Sequence, residues 1–147
     1  IIEDMYHQCR ELICQKHASV MDWLKHLPYY YENDHQIFVH AGIEVIDYQP
    51  ELWKQVSTVN TYLMKYPARQ GQFYKKVIAG HIGTHQVSGQ SDFHQICCLG
   101  DFIYLDSSVI TTQFLNVLQY DCQTCRYQGL IKKNQQWQTY DIAHFNK

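Results

Sequence analysis

Three apolar runs end on side chains that can bind metals or anions. Gln36 to Val39 leads into His40 and then Ala41-Gly42. Val77-Ile78-Ala79 leads into Gly80-His81. Phe102 to Leu105 leads into Asp106 and then Ser107-Ser108. Each end carries a nearby Gly or Ser, where backbone can approach a ligand closely. Imidazole suits zinc, iron, manganese or copper, and a neighbouring carboxylate can ligate or orient it. In layered α/β proteins, ligands gather beyond the carboxyl ends of strands. A single histidine after a strand is ordinarily a polar residue at a strand exit. Two of them, each with a glycine close by, leave both readings open, and spacing alone carries the point no further.

Two other groups invite chemistry. His85 follows His81 by four residues, a spacing that puts both on one face of a helix. The surrounding glycines read as loop, so His85 is expected to face solvent or to support the site without binding metal. Cys122 and Cys125 form one C-x-x-C pair. A structural zinc wants four ligands, which Cys97-Cys98 could complete, and a redox pair wants a helix start after a strand. This pair falls near a hairpin turn, so two unpaired thiols is the plainer reading. Tyr29-Tyr30-Tyr31 could stack on bases, but without a basic groove the run reads as hairpin packing. His7, His17, His26, His35, His94 and His144 read as ordinary surface or helix residues.

The elements that must position these groups follow from local pattern. Residues 4 to 27 carry Leu12, Ile13, Val20, Trp23, Leu24 and Leu27 at helical spacing, with a break near His17 to Ser19 and an N-cap at Ser19. Pro28 closes the second piece. Residues 29 to 40 predict a hairpin turning at Glu32-Asn33-Asp34, and 43 to 50 a loop. Short helices are expected over 51–56 and 58–66, closed by Pro67. A strand is expected over 76–79, then strands over 93–98, 102–106 and 114–120. A last hairpin, 126–132 with 136–142, turns at Lys133-Asn134. Helices come first and strands dominate the end, so the class is mixed α and β.

Composition narrows the function classes. The 147 residues are 46% hydrophobic and 18% charged, enough apolar material for a core. A net charge of -2 leaves no basic footprint for nucleic acid. No apolar stretch reaches the roughly 18 to 20 residues of a membrane span, and no signal sequence is visible. Six irregularly spaced cysteines point to a reduced, cytoplasmic setting and not to a disulfide framework. The chain starts at Ile1, without a helix-start signal, and reads as one domain cut at its N-terminus.

The segment "LPYYYENDHQIFVHAG", residues 27 to 42, resembles the calcineurin-like metallophosphoesterases, and most closely their bacterial serine/threonine phosphoprotein-phosphatase-like branch. There a helix ends in Leu-Pro, a hairpin follows, and the strand finishes in a Val-His-Ala-Gly type motif. "VIAGHIGT", residues 77 to 84, resembles the later Gly-His-Thr-Pro-Thr type motif. "IYLDSSV", residues 103 to 109, resembles the Asp-Gly-Gly type strand end that follows. The resemblance runs from about residue 3 to about 130, and it is the series of three motifs that carries it.

It implies the C-terminal part of a four-layer αββα sandwich. His40 and His81 would each ligate the second ion of a two-metal centre, manganese or else iron or zinc. Asp106 and His85 would support the site. The substrate would be a phosphorylated partner, either a phosphoprotein or a dinucleoside polyphosphate. A bridging hydroxide would attack phosphorus in line. Lys65 or Arg69 would grip phosphate, the arginine bidentately and the lysine as a point charge.

The sequence also departs from the family. The Asp-x-His, Gly-Asp-x-x-Asp-Arg and Gly-Asn-His-Glu motifs of the family's first half, which supply most ligands and the general acid, do not occur ahead of His40 in these residues. Glu3-Asp4 is expected to be the trailing edge of the last of these. Ile82-Gly83 stands where the family has Thr-Pro. By this reading the 147 residues alone are inactive. The alternative is a degenerate or truncated domain that binds a partner, with a structural zinc at Cys122 and Cys125.

Overall fold

The computed structural model describes residues 2–133 and 135–145. Asn134, half of the expected Lys133-Asn134 turn, lies outside them, as does Ile1. The chain runs α1 (Ile2–Lys16), α2 (Ala18–Lys25), β1 (Tyr30–Glu32), β2 (Gln36–Val39), α3 (Trp53–Val56), α4 (Val59–Met64), β3 (Lys76–Ala79) and α5 (Thr84–Ser88). It continues with β4 (Cys97–Leu99), β5 (Phe102–Tyr104), α6 (Val109–Thr112), β6 (Leu115–Asp121), β7 (Arg126–Lys133), β8 (Gln136–Tyr140) and β9 (Ala143–His144).

Local chemistry accounts for most boundaries. Asn33 shapes the β1–β2 turn, its side-chain oxygen accepting from the amides of His35 at 2.9 Å and Gln36 at 2.8 Å. Thr58 caps α4 in a reciprocal box with Thr61, each hydroxyl accepting from the other residue's amide. The helical stretch breaks at His17 as expected, but His17 is the N-cap of α2 and makes no side-chain cap bond; Ser19 lies inside the helix. The strands expected over 93–98 and 102–106 are each only three residues long. They meet in a tight hairpin at Gly100, whose φ is 71° and where a Cβ would fall 2.2 Å from the Gly71 carbonyl oxygen. Only glycine fits both conditions.

Strands form two sheets. The larger has the order β1-β2-β3-β5-β4-β9, with β2, β3 and β5 parallel, β1 antiparallel to β2, β4 antiparallel to β5, and β9 parallel to β4; the smaller is the antiparallel β6-β7-β8. The central strands are apolar on both faces, as strands covered on both sides are. Val77, Ala79, Phe102, Tyr104, Cys97 and Leu99 face one core with Trp53, Tyr62 and Val87 of α3, α4 and α5. Ile78, Ile103 and Cys98 face the other, against Leu118, Tyr127 and Tyr140 of the small sheet. The layering is therefore helix, mixed sheet, antiparallel sheet. By contrast α2 buries no residue, and Met5, Leu12, Ile13, Val20, Trp23 and Leu24 of α1 and α2 are exposed. No described helix is long and apolar enough to cross a membrane.

Glu32 at the end of β1 ties two segments to the sheet edge. It pairs with Lys54 of α3 and, at 2.8 Å, with Lys75 just before β3. Burial alone would raise its pKa; hydrogen bonds from Lys54 and Lys75 outweigh that and hold it below the usual carboxylate value. Its stabilisation is thus complete above the unfolded-state pKa and fades as pH falls through the lower folded value. Glu32→Gln is expected to cost about 1 kcal/mol at neutral pH. In urea unfolding that difference from wild type should shrink on acidification below the ordinary carboxylate range. A difference that grows in acid would contradict this account.

Candidate metal centre

The parallel register sets the site. Val39 of β2 lies opposite Ala79 of β3, and Ala79 opposite Tyr104 of β5. The ladder continues past the strands: Gly80 donates to the His40 carbonyl at 2.9 Å, and Leu105 donates to the Ala79 carbonyl at 2.9 Å. His40, His81 and Asp106 therefore leave three adjacent strands at the same, carboxyl end. This is the edge of an α/β sheet where ligands collect.

The two imidazoles meet. Their ring centroids are 5.0 Å apart at an interplanar angle of 59°. His40 is exposed and His81 half-buried. His81 has a φ of 64°, and the Ile82 amide donates across it to the Gly80 carbonyl at 2.7 Å. A three-residue turn with positive φ at its centre is the strained form of the γ-turn, and a non-glycine residue there costs about 1–3 kcal/mol. Glycines stand on both sides of this residue in sequence, at Gly80 and Gly83, yet the left-handed position itself is given to histidine. Gly80 is under no steric demand, since a Cβ there would make only an ordinary 3.6 Å contact with the His40 carbonyl oxygen.

Asp106 is committed to the turn it begins. Its Oδ1 accepts from the Ser108 amide at 2.7 Å, and its carbonyl accepts from the Thr84 amide at 2.7 Å, which anchors the start of α5 to the end of β5. Thr84 is fully buried there. The segment expected to be loop is this short helix, and His85 belongs to it. His85 does not share a helix face with His81, because His81 lies outside the helix. A Cβ at Gly83 would strike the His85 ring, 2.5 Å from Cε1. That close approach is what glycine permits at this position.

His85 instead neighbours His94, with ring centroids 6.3 Å apart. His94 was expected at the surface; it is half-buried, lies 6.0 Å from the Phe114 ring, and its Nδ1 is buried without a protein partner. Asn116 of β6 holds the His94 carbonyl at 2.6 Å and the Leu105 carbonyl at 3.1 Å. Nothing local to residues 91–96 signals this, since the contacts come from α5 and β6.

The two phosphate candidates are both ion-paired. Lys65 binds Glu44 and Arg69 binds Asp47, so each cation ties down the loop that follows His40. Tyr104 donates to the Arg69 carbonyl at 2.8 Å, and burial pushes that phenol up, keeping it protonated as donor. Arg69 also has a buried Nε without a protein partner.

Metal fit is partial. His40 and His81 supply two imidazoles at one edge, but among the described residues no group of three or more His, Cys, Asp or Glu side chains is placed to hold an ion. Cys122 and Cys125 sit at the exposed β6–β7 turn, away from Cys97 and Cys98, which are buried in β4. Compared with protein-family models, with curated proteins and with solved structures, the chain matches none.

Proposed function

We propose that this chain contributes the His40–His81 edge of a divalent-metal phosphoesterase centre of the calcineurin-like type. The supporting observation is the strained turn at His81. A histidine held at positive φ, with its ring 5.0 Å from that of His40, is difficult to explain by packing, and strain of this kind clusters at functional sites. The helix–sheet–sheet layering supports the finer proposal that these are three layers of an αββα sandwich. When bound, the ions of such a centre would polarise the phosphate and supply a hydroxide nucleophile.

Within the chain, His40 and His81 would bind one ion, and Asp106 would fix the turn beside them. Lys65 and Arg69 are both phosphate candidates, and each would first have to release its carboxylate, Glu44 or Asp47. The substrate class is a phosphoprotein or a dinucleoside polyphosphate, and manganese is the first ion to test. Remaining ligands would come from the Asp-x-His, Gly-Asp-x-x-Asp-Arg and Gly-Asn-His-Glu motifs, so activity is assigned to these residues together with a segment that bears them.

The test is a phosphatase assay, with manganese, on protein carrying whatever coding sequence precedes Ile1, together with its metal content. His40→Ala and His81→Ala are each expected to lower bound metal and to reduce turnover at least about 100-fold. Unchanged metal and unchanged turnover in both variants would remove the assignment.

A further inference from the structure

Six cysteines are distributed over three places, and only one of them can form a pair. Cys9 and Cys14 are five apart on α1, a spacing that turns their side chains away from each other. Cys97 and Cys98 are successive residues of β4, buried on opposite faces. Burial pushes the Cys98 thiol up to about 11, which keeps it an unreactive thiol at neutral pH. Cys122 and Cys125 are both exposed and occupy the first and last positions of a four-residue turn, closed by the Asp121–Arg126 strand pair.

That turn is built to hold one shape. The Asp121 carboxylate accepts from the Gln123 amide at 2.8 Å, the Thr124 amide at 3.3 Å and the Thr124 hydroxyl at 2.8 Å. Cys125 takes the left-handed conformation, with φ of 55°, that returns the chain into β7. The ends of a β-turn lie within roughly 7 Å, and a disulfide spans Cα separations of roughly 4.4–6.8 Å. Beside it, the neighbouring Cys125 thiol lifts the Tyr120 phenol to about 12. The Tyr120 ring packs against Tyr127 at a tilt of 36°, with 4.7 Å between centroids.

We propose that Cys122 and Cys125 are a redox-active dithiol, which exchanges with low-molecular-weight disulfides of the glutathione class to form a reversible bond across the β6–β7 turn. One cysteine thiolate attacks a sulfur of the small disulfide, forming a mixed disulfide and expelling one thiolate. The second cysteine thiolate then attacks the protein sulfur of that mixed bond and expels the other. Two protein thiols are oxidised and one small disulfide is reduced to two thiols. Because the closed ring is small and exposed, the same steps run backwards readily in excess small thiol. A closed zinc site is the weaker occupant, since the pair brings two ligands and the Asp121 carboxylate is spent on the turn.

The experiment equilibrates the reduced chain with glutathione and glutathione disulfide over a range of ratios, then alkylates and maps peptides by mass spectrometry. The expected result is loss of alkylation at Cys122 and Cys125 together, restored by excess glutathione. In Cys122→Ser and Cys125→Ser, checked for unchanged circular dichroism, a mixed glutathione adduct should accumulate on the remaining cysteine. The proposal is overturned if both thiols stay alkylatable at every ratio, or if the serine variants show no adduct. It is equally overturned if added zinc alone, bound through these two thiols, accounts for their protection.

Discussion

His81→Gly should unfold at higher denaturant than the wild type and, on the proposed metal-binding role of His40 and His81, bind divalent metal more weakly. Glycine adopts a φ of 64° without the Cβ penalty that histidine bears, which relieves about 1–3 kcal/mol of strain. Part of that is offset by the greater freedom of glycine in the unfolded chain, about 0.4–1 kcal/mol. The net expectation is a gain of about 1 kcal/mol. On that proposed role, removing the imidazole leaves His40 alone of the pair, and affinity for manganese or zinc should fall at least about 100-fold. His81→Ala separates the two effects, because it removes the ring but keeps a Cβ at positive φ. It should lose metal equally and gain no stability. Urea unfolding and isothermal titration of the two variants decide the matter. Equal destabilisation by Gly and Ala would show that the turn carries no strain, and retained metal affinity would show that His81 is not a ligand.

The largest loss of stability is expected at Trp53. It is fully buried at the start of α3, meets Tyr30 edge-on with centroids 4.9 Å apart, and donates its indole N–H to the Tyr74 hydroxyl at 2.9 Å. Trp53→Ala would remove the largest side chain of the helix-facing core and leave Tyr74 without that donor. The expected cost is about 3–5 kcal/mol, a large part of the stability of a domain this size. Trp23, 60% exposed on α2, is the matched control, since its replacement by Ala should change stability by no more than about 0.5 kcal/mol. Comparable losses at the two positions would mean that α1 and α2 are packed in solution.

These two experiments bear on one architectural point. Trp53 and the core around it hold β2, β3 and β5 in parallel register, and that register places His40 beside His81. If the two histidines bind metal as proposed, a protein weakened at Trp53 should bind it less well even though Trp53 touches neither histidine. The strain at His81 is sustained only because the surrounding sheet fixes both ends of its turn.

Residue order alone sets what nearest neighbours along the chain can enforce. Pro28 and the Glu32–Asp34 turn mark the hairpin of β1 and β2. The apolar run before Gly80 fixes β3 over residues 76–79, and the interrupted helical periodicity places the break at His17. His40, His81 and Asp106 stand out as strand-end groups on local grounds alone. Tertiary structure decided which of them meet. Inserting β5 between β3 and β4, against chain order, aligns three strand ends, and no local pattern encodes that pairing. It also decided that His81 takes a positive φ although Gly80 stands next to it, that His85 turns towards His94, and that five residues from Thr84 form a helix too short to show a period. Trp23 and Trp53 read alike as apolar helix residues, yet one is exposed and the other fully buried. The physical reason is common to all of these. Strand order, burial and strain are set by hydrogen bonds and contacts between residues far apart in the chain, whereas periodicity and turn chemistry report only on the next few residues.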